Sequence, residues 1–380
     1  MRKNLKKLLS SALAAAMLAG LCPVPTAWAA QNTDTPGNVE PSPLADNGGD
    51  IIEHPDAAVA EMDGTTYATL AEAFRAVPTD GIATTITLLQ NTTEFVTVQG
   101  GQNIELNMAN KNLTAPTGQP AIGIDGGKLT IVSPGGNWEA AETNCIRSDG
   151  GSATVMLKSG SMTMRSAAIW NKGGDDAIYA LGDSTVTLHS GYVRADNGDA
   201  IFATGDSTVT LRSGYVRADN GNAIYAIDYS TVETGDASDP NDVYVFGRLN
   251  KLMEGSIVIK KGYFADDPTP YLANNGLAAI PTFLSGYSYR VGPVSEGVAE
   301  LNGNIYGSVK AALEAAKDQP WPTIKLRDST RESVTVNTNT NINLDLNGHS
   351  FVSAPDDPFS DPNEPNLEYP RPLQWRVAAS

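Results

Sequence analysis

The chain contains little cysteine, which excludes a network of disulfide bonds as the means of stabilising the fold. Only 2 of its 380 residues are cysteine. Cys22 falls within an N-terminal segment that we expect to be removed, so Cys145 remains alone and no disulfide can form within one chain. A hydrophobic core must then stabilise the fold, and the length of the chain allows one.

The N-terminal apolar run is too short to span a membrane. It extends from Leu8 to Cys22 behind a basic start and is followed by two prolines, whereas a membrane helix needs about 20 apolar residues. Residues 27–29 (Ala-Trp-Ala) have the small-x-small pattern of a cleavage site. We therefore predict a secretory signal peptide over residues 1–29 and a secreted, extracellular protein, with attachment to the cell surface left open.

Positive charge is also scarce. The formal net charge is −17, and without the four basic residues of the signal peptide the chain carries 22 basic against 43 acidic residues. This balance predicts no nucleic-acid partner and no binding to anionic membrane surfaces.

The central part of the chain lacks helical periodicity and contains a sequence repeat. Gly-Asp-Ser-Thr-Val-Thr-Leu begins at Gly182 and again at Gly205, 23 residues later. Valine and leucine alternate with threonine in each copy, as in a strand with one buried face. Each copy holds three short extended segments separated by Ser-Gly and Asp-Asn-Gly turns, which suits one turn of a parallel β-helix. The sequence predicts an all-β, right-handed parallel β-helix with about 23 residues per rung.

A small residue followed by isoleucine marks successive rungs of this repeat. The small residues are Ala121, Cys145, Ala177, Ala200 and Ala223. The long interval between Cys145 and Ala177 predicts an insertion near residues 168–171.

One helix is predicted at the N-terminal end of the repeat. Residues 69–77 begin with a Thr-x-x-Glu capping box and place Leu70, Ala73 and Phe74 on one apolar stripe. A hairpin around Asp63-Gly64 precedes them. Because an open β-helix end exposes core side chains and unpaired backbone, we expect this helix to cap it.

The predicted hairpin, the helix and a strand that follows them are repeated later in the sequence. Residues 298–306 copy 59–67, residues 308–316 copy the predicted helix, and residues 342–348 copy the strand that begins at Ile104. The second copy lacks rungs of its own, so we expect it to pack on the first or to be poorly ordered. The predicted organisation is a signal peptide (1–29), a flexible lead-in (30–57), a β-helix domain (58–296), an incomplete second β-helix module (297–354) and a Pro/Asp-rich tail (355–380).

Three segments outside the repeat resemble segments of a known group of proteins. Three segments carry the likeness: Val-Ala-Glu-x-x-Gly-x-x-Tyr at 59–67, Gly-Tyr-Phe-x-x-Asp-Pro-x-x-Tyr-Leu at 262–272 and Leu-Asp-Leu-Asn-Gly-His at 344–349. They are similar to segments of secreted, repeat-built surface proteins of Gram-positive bacteria with a pectin-lyase-like right-handed β-helix. The resemblance implies the fold over roughly residues 58–354 and implies no particular activity.

Asp175 and Asp176 are candidate catalytic residues. Their segment is similar to the paired-aspartate segment of polygalacturonases, and two carboxylates on one rung suit the acid and base of glycoside hydrolysis. The next two rungs carry Asp199 and Asn222 at the same turn, which indicates a turn that tolerates either residue. A polysaccharide lyase or glycoside hydrolase is therefore the alternative function.

The same turns offer a candidate calcium site, because oxygen ligands from adjacent rungs could converge on one cation. Stacked Asp and Asn side chains can equally hydrogen-bond along a ladder without metal. We predict the ladder, with no cofactor, and keep Ca²⁺ as the alternative. The candidate ligands are Asp175, Asp176, Asp196, Asp199 and Asp219.

Aromatic and arginine side chains recur at fixed positions of the rung. Alternation with inward isoleucines predicts that the aromatic rings point outward. In a row, they would stack on sugar faces or on one another. We predict a non-catalytic module for extracellular binding or adhesion to a polysaccharide or a host or cell-surface glycan, with oligomeric state left open. The predicted ligand-binding residues are Tyr179, Phe202, Tyr225, Tyr192, Tyr215, Arg194 and Arg217.

Overall fold

The structure, a computed structural model, describes residues 58–133, 145–150, 152–236, 238–336 and 341–354. The predicted signal peptide, lead-in and tail lie outside these residues. The predicted all-β solenoid is confirmed: the chain forms a parallel β-solenoid of about 11 turns with about 24 residues each. No helix in the described ranges is long and apolar enough to cross a membrane.

The N-terminal region contains short strands and one helix. Its elements are β1 (Ala60–Met62), β2 (Thr65–Tyr67), α1 (Leu70–Ala76), β3 (Ala83–Leu88), β4 (Thr92–Thr93), β5 (Val96–Gln99), β6 (Asn103–Asn107) and β7 (Leu113–Thr114).

The solenoid continues through strands of 3 to 17 residues, the longest of which bend around its corners. They are β8 (Ile122–Val132), β9 (Cys145–Ser148), β10 (Val155–Asn171), β11 (Ile178–Ala180), β12 (Thr185–Ala195), β13 (Ile201–Ala203), β14 (Thr208–Leu211), β15 (Gly214–Ala226), β16 (Thr231–Thr234), β17 (Val243–Lys251), β18 (Ser256–Ile259) and β19 (Gly262–Phe264).

An antiparallel hairpin and the second module follow. Their elements are the 3-10 turn Thr269–Tyr271, β20 (Leu277–Pro281), β21 (Tyr289–Pro293), the 3-10 turn Val294–Glu296, β22 (Ala299–Leu301), β23 (Asn304–Tyr306), α2 (Val309–Ala316), β24 (Thr323–Leu326), β25 (Thr330–Glu332), β26 (Asn343–Asp345) and β27 (Phe351–Ser353).

Each repeat contributes one strand segment to each of three parallel sheets. Residues 23 apart pair in register, as in Ile178 with Ile201 and Val193 with Val216. We name the sheets by their outward side chains. The aromatic face carries Tyr179, Phe202 and Tyr225, the threonine face Thr187 and Thr210, and the tyrosine face Tyr192 and Tyr215.

The inward residues of all three faces form one continuous core. Val186, Val193 and Ile201 are each 0% exposed, and burying such a side chain contributes about 1.5–3 kcal/mol. Each rung adds an equivalent set, because the side chains of a strand alternate between core and solvent. The Ser-Gly turn recurs because a Cβ at Gly214, whose φ is +103°, would lie 2.6 Å from the carbonyl oxygen of Gly191.

Helix α1 caps the core as predicted. Phe74 is 1% exposed and belongs to the core cluster. Thr69 Oγ1 accepts a hydrogen bond from the Glu72 amide at 3.1 Å. A residue that the sequence analysis missed completes the cap: Glu94 accepts hydrogen bonds from the amides of Leu70 and Ala71, both at 2.9 Å. These bonds satisfy donors that a helix start otherwise leaves unpaired.

The assignment of Cys145 to the same column as Ala121 is wrong. Cys145 pairs with Ala168 on the sheet of the tyrosine face, whereas the Ala121 column continues from Ile122 to Val155 on the sheet of the aromatic face. Residues 168–171 are therefore a regular strand segment and not an insertion. On both sheets, a small residue precedes an isoleucine that points into the core. This residue pair therefore does not show to which sheet a strand belongs.

The second module is a short copy with its own small core. Leu301, Val309 and Ile324 belong to this core, and β25 and β27 pair in parallel beside it. It packs on the β20–β21 hairpin through Ile280 and Val298. Of the two outcomes expected for this module, the structure shows packing on the first.

Candidate functional site

The tyrosine face places one tyrosine on each of four successive rungs. Tyr192, Tyr215, Tyr244 and Tyr263 pair in parallel register. The ring centroids of Tyr215 and Tyr244 are 4.5 Å apart with an interplanar angle of 10°, and those of Tyr244 and Tyr263 are 5.1 Å apart with an angle of 5°. The rings of Tyr215, Tyr244 and Tyr263 therefore stack on each other along the solenoid axis. All four tyrosine side chains are half-buried.

A second column on the same face places two arginines between two aromatic rings. Trp170, Arg194, Arg217 and Phe246 occupy successive rungs. The Arg194 guanidinium lies 4.7 Å from the Trp170 ring centroid, and the Arg217 guanidinium lies 4.7 Å from that of Phe246. Such cation–π contacts contribute about 0.5–1 kcal/mol at exposed sites. They hold the two arginines against the sheet.

Asp196 and Asp219 neutralise these arginines. Arg194 Nε lies 2.8 Å from Asp196 Oδ1, and Arg194 Nη2 lies 2.7 Å from Asp219 Oδ2. Arg217 Nε lies 2.5 Å from Asp219 Oδ1. The Trp170 indole also donates a hydrogen bond to Asp196 Oδ1 at 2.9 Å. The face thus presents paired charges rather than a block of one sign.

Asp176 and Asp199 form a hydrogen-bonded ladder with Asn222 at the turn before the aromatic face. Asp176 Oδ1 accepts a hydrogen bond from the Asp199 amide at 2.9 Å. One rung on, Asp199 Oδ1 accepts from the Asn222 amide at 2.7 Å and from Asn222 Nδ2 at 2.9 Å. The predicted Asp and Asn ladder is therefore present. It explains why the repeat carries Asp or Asn at this position.

Burial changes the acidity of this ladder. Burial, and then the Asp199 and Asp175 carboxylates, raise the pKa of Asp176 to about 7. Burial also raises the pKa of Asp199. A carboxyl group that shares a partly buried site with another holds its proton near neutral pH.

Four of the five candidate calcium ligands thus separate into two environments, and the fifth, Asp175, is half-buried. Asp176 and Asp199 accept amide hydrogen bonds, whereas Asp196 and Asp219 pair with arginine. Among the residues that the structure describes, no group of three or more His, Cys, Asp or Glu side chains is placed to hold a metal ion.

The aromatic face forms a separate column. Tyr179 stacks on Phe202 at a centroid distance of 5.1 Å and an angle of 14°, and Phe202 contacts Tyr225 at 5.2 Å and 30°. The seven predicted binding residues therefore divide between two sheets. In both columns neighbouring rings occupy one another's faces, so a sugar cannot lie flat on a ring between rungs.

The sequence analysis missed several residues of the tyrosine face. Tyr244, Tyr263, Trp170 and Phe246 extend the two columns, and Tyr287 packs edge-on against Tyr244 at 5.6 Å. A recurring dipeptide could have identified part of this set, since Gly-Tyr at 262–263 repeats the Gly-Tyr that begins the same strand in earlier rungs.

Comparison with known proteins adds no family to this description. No family model matches the chain, and no curated protein or solved structure matches it either.

Proposed function

We propose that the tyrosine face is the binding surface of a secreted, non-catalytic module for a polysaccharide or a host or cell-surface glycan. The observation that carries this proposal is the column of four tyrosines, one per rung, from Tyr192 to Tyr263. Rungs repeat at about 4.8 Å, close to the length of one sugar residue. The predicted signal peptide and the resemblance to surface proteins support an extracellular location.

The geometry favours hydrogen bonding over ring stacking as the mode of recognition. Because the rings of Tyr215, Tyr244 and Tyr263 cover one another's faces, recognition would fall to their phenolic hydroxyl groups, each of which can donate and accept hydrogen bonds. One hydrogen bond contributes only about 0.5–1.5 kcal/mol, so useful affinity needs several contacts along one chain. Since Asp196 and Asp219 already neutralise the arginines, the face suits a neutral, hydroxyl-rich glycan better than a polyuronate.

Tyrosine-to-phenylalanine changes test the proposal without disturbing the stack. A glycan array would identify a ligand for the mature protein. The triple variant Tyr215→Phe, Tyr244→Phe, Tyr263→Phe is then expected to lose most of the affinity at an unchanged melting temperature. The control variant Tyr179→Phe, Tyr225→Phe, on the aromatic face, should bind normally. Equal affinity of the triple variant and the wild type would refute binding at the tyrosine face.

One observation keeps the polysaccharide lyase or glycoside hydrolase as a second candidate. The pKa of Asp176, raised to about 7, is what a general acid requires. Its Oδ1 atom, however, already accepts the Asp199 amide. We expect no new reducing ends and no unsaturated products from pectin or polygalacturonate, with or without Ca²⁺. Products that disappear in Asp176→Asn would replace the binding function with a catalytic one.

A further inference from the structure

The second module has a free edge where the first module has a further rung. Strand β26 pairs with β24, and β27 pairs with β25. Within the described ranges, neither strand has a partner on its other side. The matching strand of the first module, β6, pairs on both sides, with β3 and with β8. Backbone groups at such an edge are ready to pair with another strand.

The same edge exposes side chains that are buried in the first module. By strand register, Leu344 matches Leu106, and Leu344 is 36% exposed whereas Leu106 is 0% exposed. Likewise, Leu346 and Phe351 are only partly buried. An apolar row beside unpaired backbone is the surface that an added strand covers.

We propose that residues 373–377 of this chain add to β26 as its next strand. The segment reads Leu-Gln-Trp-Arg-Val, which alternates apolar and polar residues as a strand with one buried face does. Its five residues equal the length of β6. Trp375 and its apolar neighbours would cover Leu344, while Gln374 and Arg376 would face water.

The connection between β27 and this segment allows the pairing. Residues 355–372 are rich in proline, which suits an extended connector and disfavours a central strand. Eighteen residues reach up to about 60 Å when extended, far more than the distance between adjacent strands. Since the segment is tethered, it meets the edge at a high effective concentration. A segment from a second copy would also lose the entropy of association.

Hydrogen exchange of the β26 amides in the full mature chain tests the pairing. We expect slow exchange in the wild type and at least about tenfold faster exchange in Leu373→Asp, Trp375→Asp, Val377→Asp. The control Gln374→Asp, Arg376→Asp changes the opposite side of the same segment and should exchange as the wild type does. Equal exchange in all three proteins would overturn the proposal. So would protection that rises with protein concentration together with a dimer in light scattering, because the occupant would then be a second copy.

A cross-link provides an independent measurement that does not depend on the charged variants. Leu344→Cys combined with Trp375→Cys should form an intramolecular disulfide under mild oxidation, because the central residues of the two strands would be neighbours. Thr187→Cys combined with Trp375→Cys, on the threonine face, should not. The native Cys145 is buried and should not compete. Equal cross-linking of both pairs would contradict the proposed site.

Discussion

The two modules begin with the same structural elements but differ in burial, because within the described residues only the first continues into further rungs. Both contain a hairpin, a short helix and a strand that pairs back on the hairpin. The first then adds rungs that bury Leu106 completely, whereas its counterpart Leu344 remains 36% exposed. In a solenoid, burial is a property of neighbouring rungs and not of one segment. Similar local sequences therefore give a complete core in one module and an open edge in the other.

In both modules, a glutamate side chain accepts hydrogen bonds from the first backbone amides of the helix. Glu332 accepts hydrogen bonds from the amides of Val309 and Lys310, both at 2.9 Å, as Glu94 does for α1. A threonine two residues earlier donates to each glutamate, at 2.7 Å in the first module and 2.8 Å in the second. The repeated Thr-x-Glu therefore anchors each helix to the strand below it.

Replacing the buried ring of the first cap should have the largest effect. Phe74→Asp places an unpaired charge in the core and should reduce the free energy of unfolding by more than about 3 kcal/mol. Leu313→Asp at the matching position of α2 should cost less, because Leu313 is only half-buried. Thr187→Asp, on the threonine face, serves as the surface control. Equal losses for Phe74→Asp and Thr187→Asp in chemical denaturation would show that α1 does not cap the core.

Removing a helix anchor should have an intermediate effect. Glu94→Gln leaves one acceptor oxygen where the carboxylate offered two, so one amide at the start of α1 loses its partner. We expect a loss of about 1–3 kcal/mol in the free energy of unfolding. Glu332→Gln should loosen α2 alone, with faster hydrogen exchange confined to the second module. Unfolding of Glu94→Gln at the wild-type denaturant concentration, or wild-type hydrogen exchange of α2 in Glu332→Gln, would argue against the anchor.

The Asp ladder predicts an effect that depends on pH. The pKa of Asp176 is raised from 3.8 to about 7, so between these values the folded protein holds a proton that the unfolded chain releases. The stability from this group is present below about pH 4 and is lost as pH rises to about 7. Asp176→Asn keeps the acceptor oxygen and removes the titration. Its melting temperature should therefore exceed that of the wild type at pH 8 and differ little at pH 4; parallel pH profiles would contradict the shift.

Calcium should have the smallest effect. Because Asp196 and Asp219 pair with arginine, these turns offer no group of unpaired carboxylates that could bind Ca²⁺ together. We expect the same melting temperature in EDTA and in millimolar Ca²⁺. A rise in Ca²⁺ that disappears in Asp176→Asn, Asp199→Asn would mean that ligand binding energy is added to the folded state.

Local patterns predict much of this fold. The 23-residue period, the hairpin at Asp63-Gly64 and the apolar stripe of α1 are all encoded within short windows, and the structure confirms each. The Asp and Asn ladder was predictable for the same reason, since exact repetition places Asp176, Asp199 and Asn222 one above another.

Contacts between distant segments were not predictable in this way. Tyr244 follows its partner Tyr215 after 29 residues rather than 23, because additional residues precede the strand that begins at Val243. Alternation shows that a ring points outward, but it does not show whether the next ring covers its face. The role of Glu94 likewise depends on a contact across 24 residues.

Changing the number of rungs tests the central claim, binding by a column of one tyrosine per rung, most directly. Deleting residues 182–204 removes one copy of the repeat and joins Leu181 to Gly205 in register, while duplicating them adds one copy. With a long polysaccharide identified on the array, titration calorimetry should show weaker binding for the deletion and tighter binding for the duplication. Affinity that is the same for all three rung numbers would contradict a binding surface built along the tyrosine face.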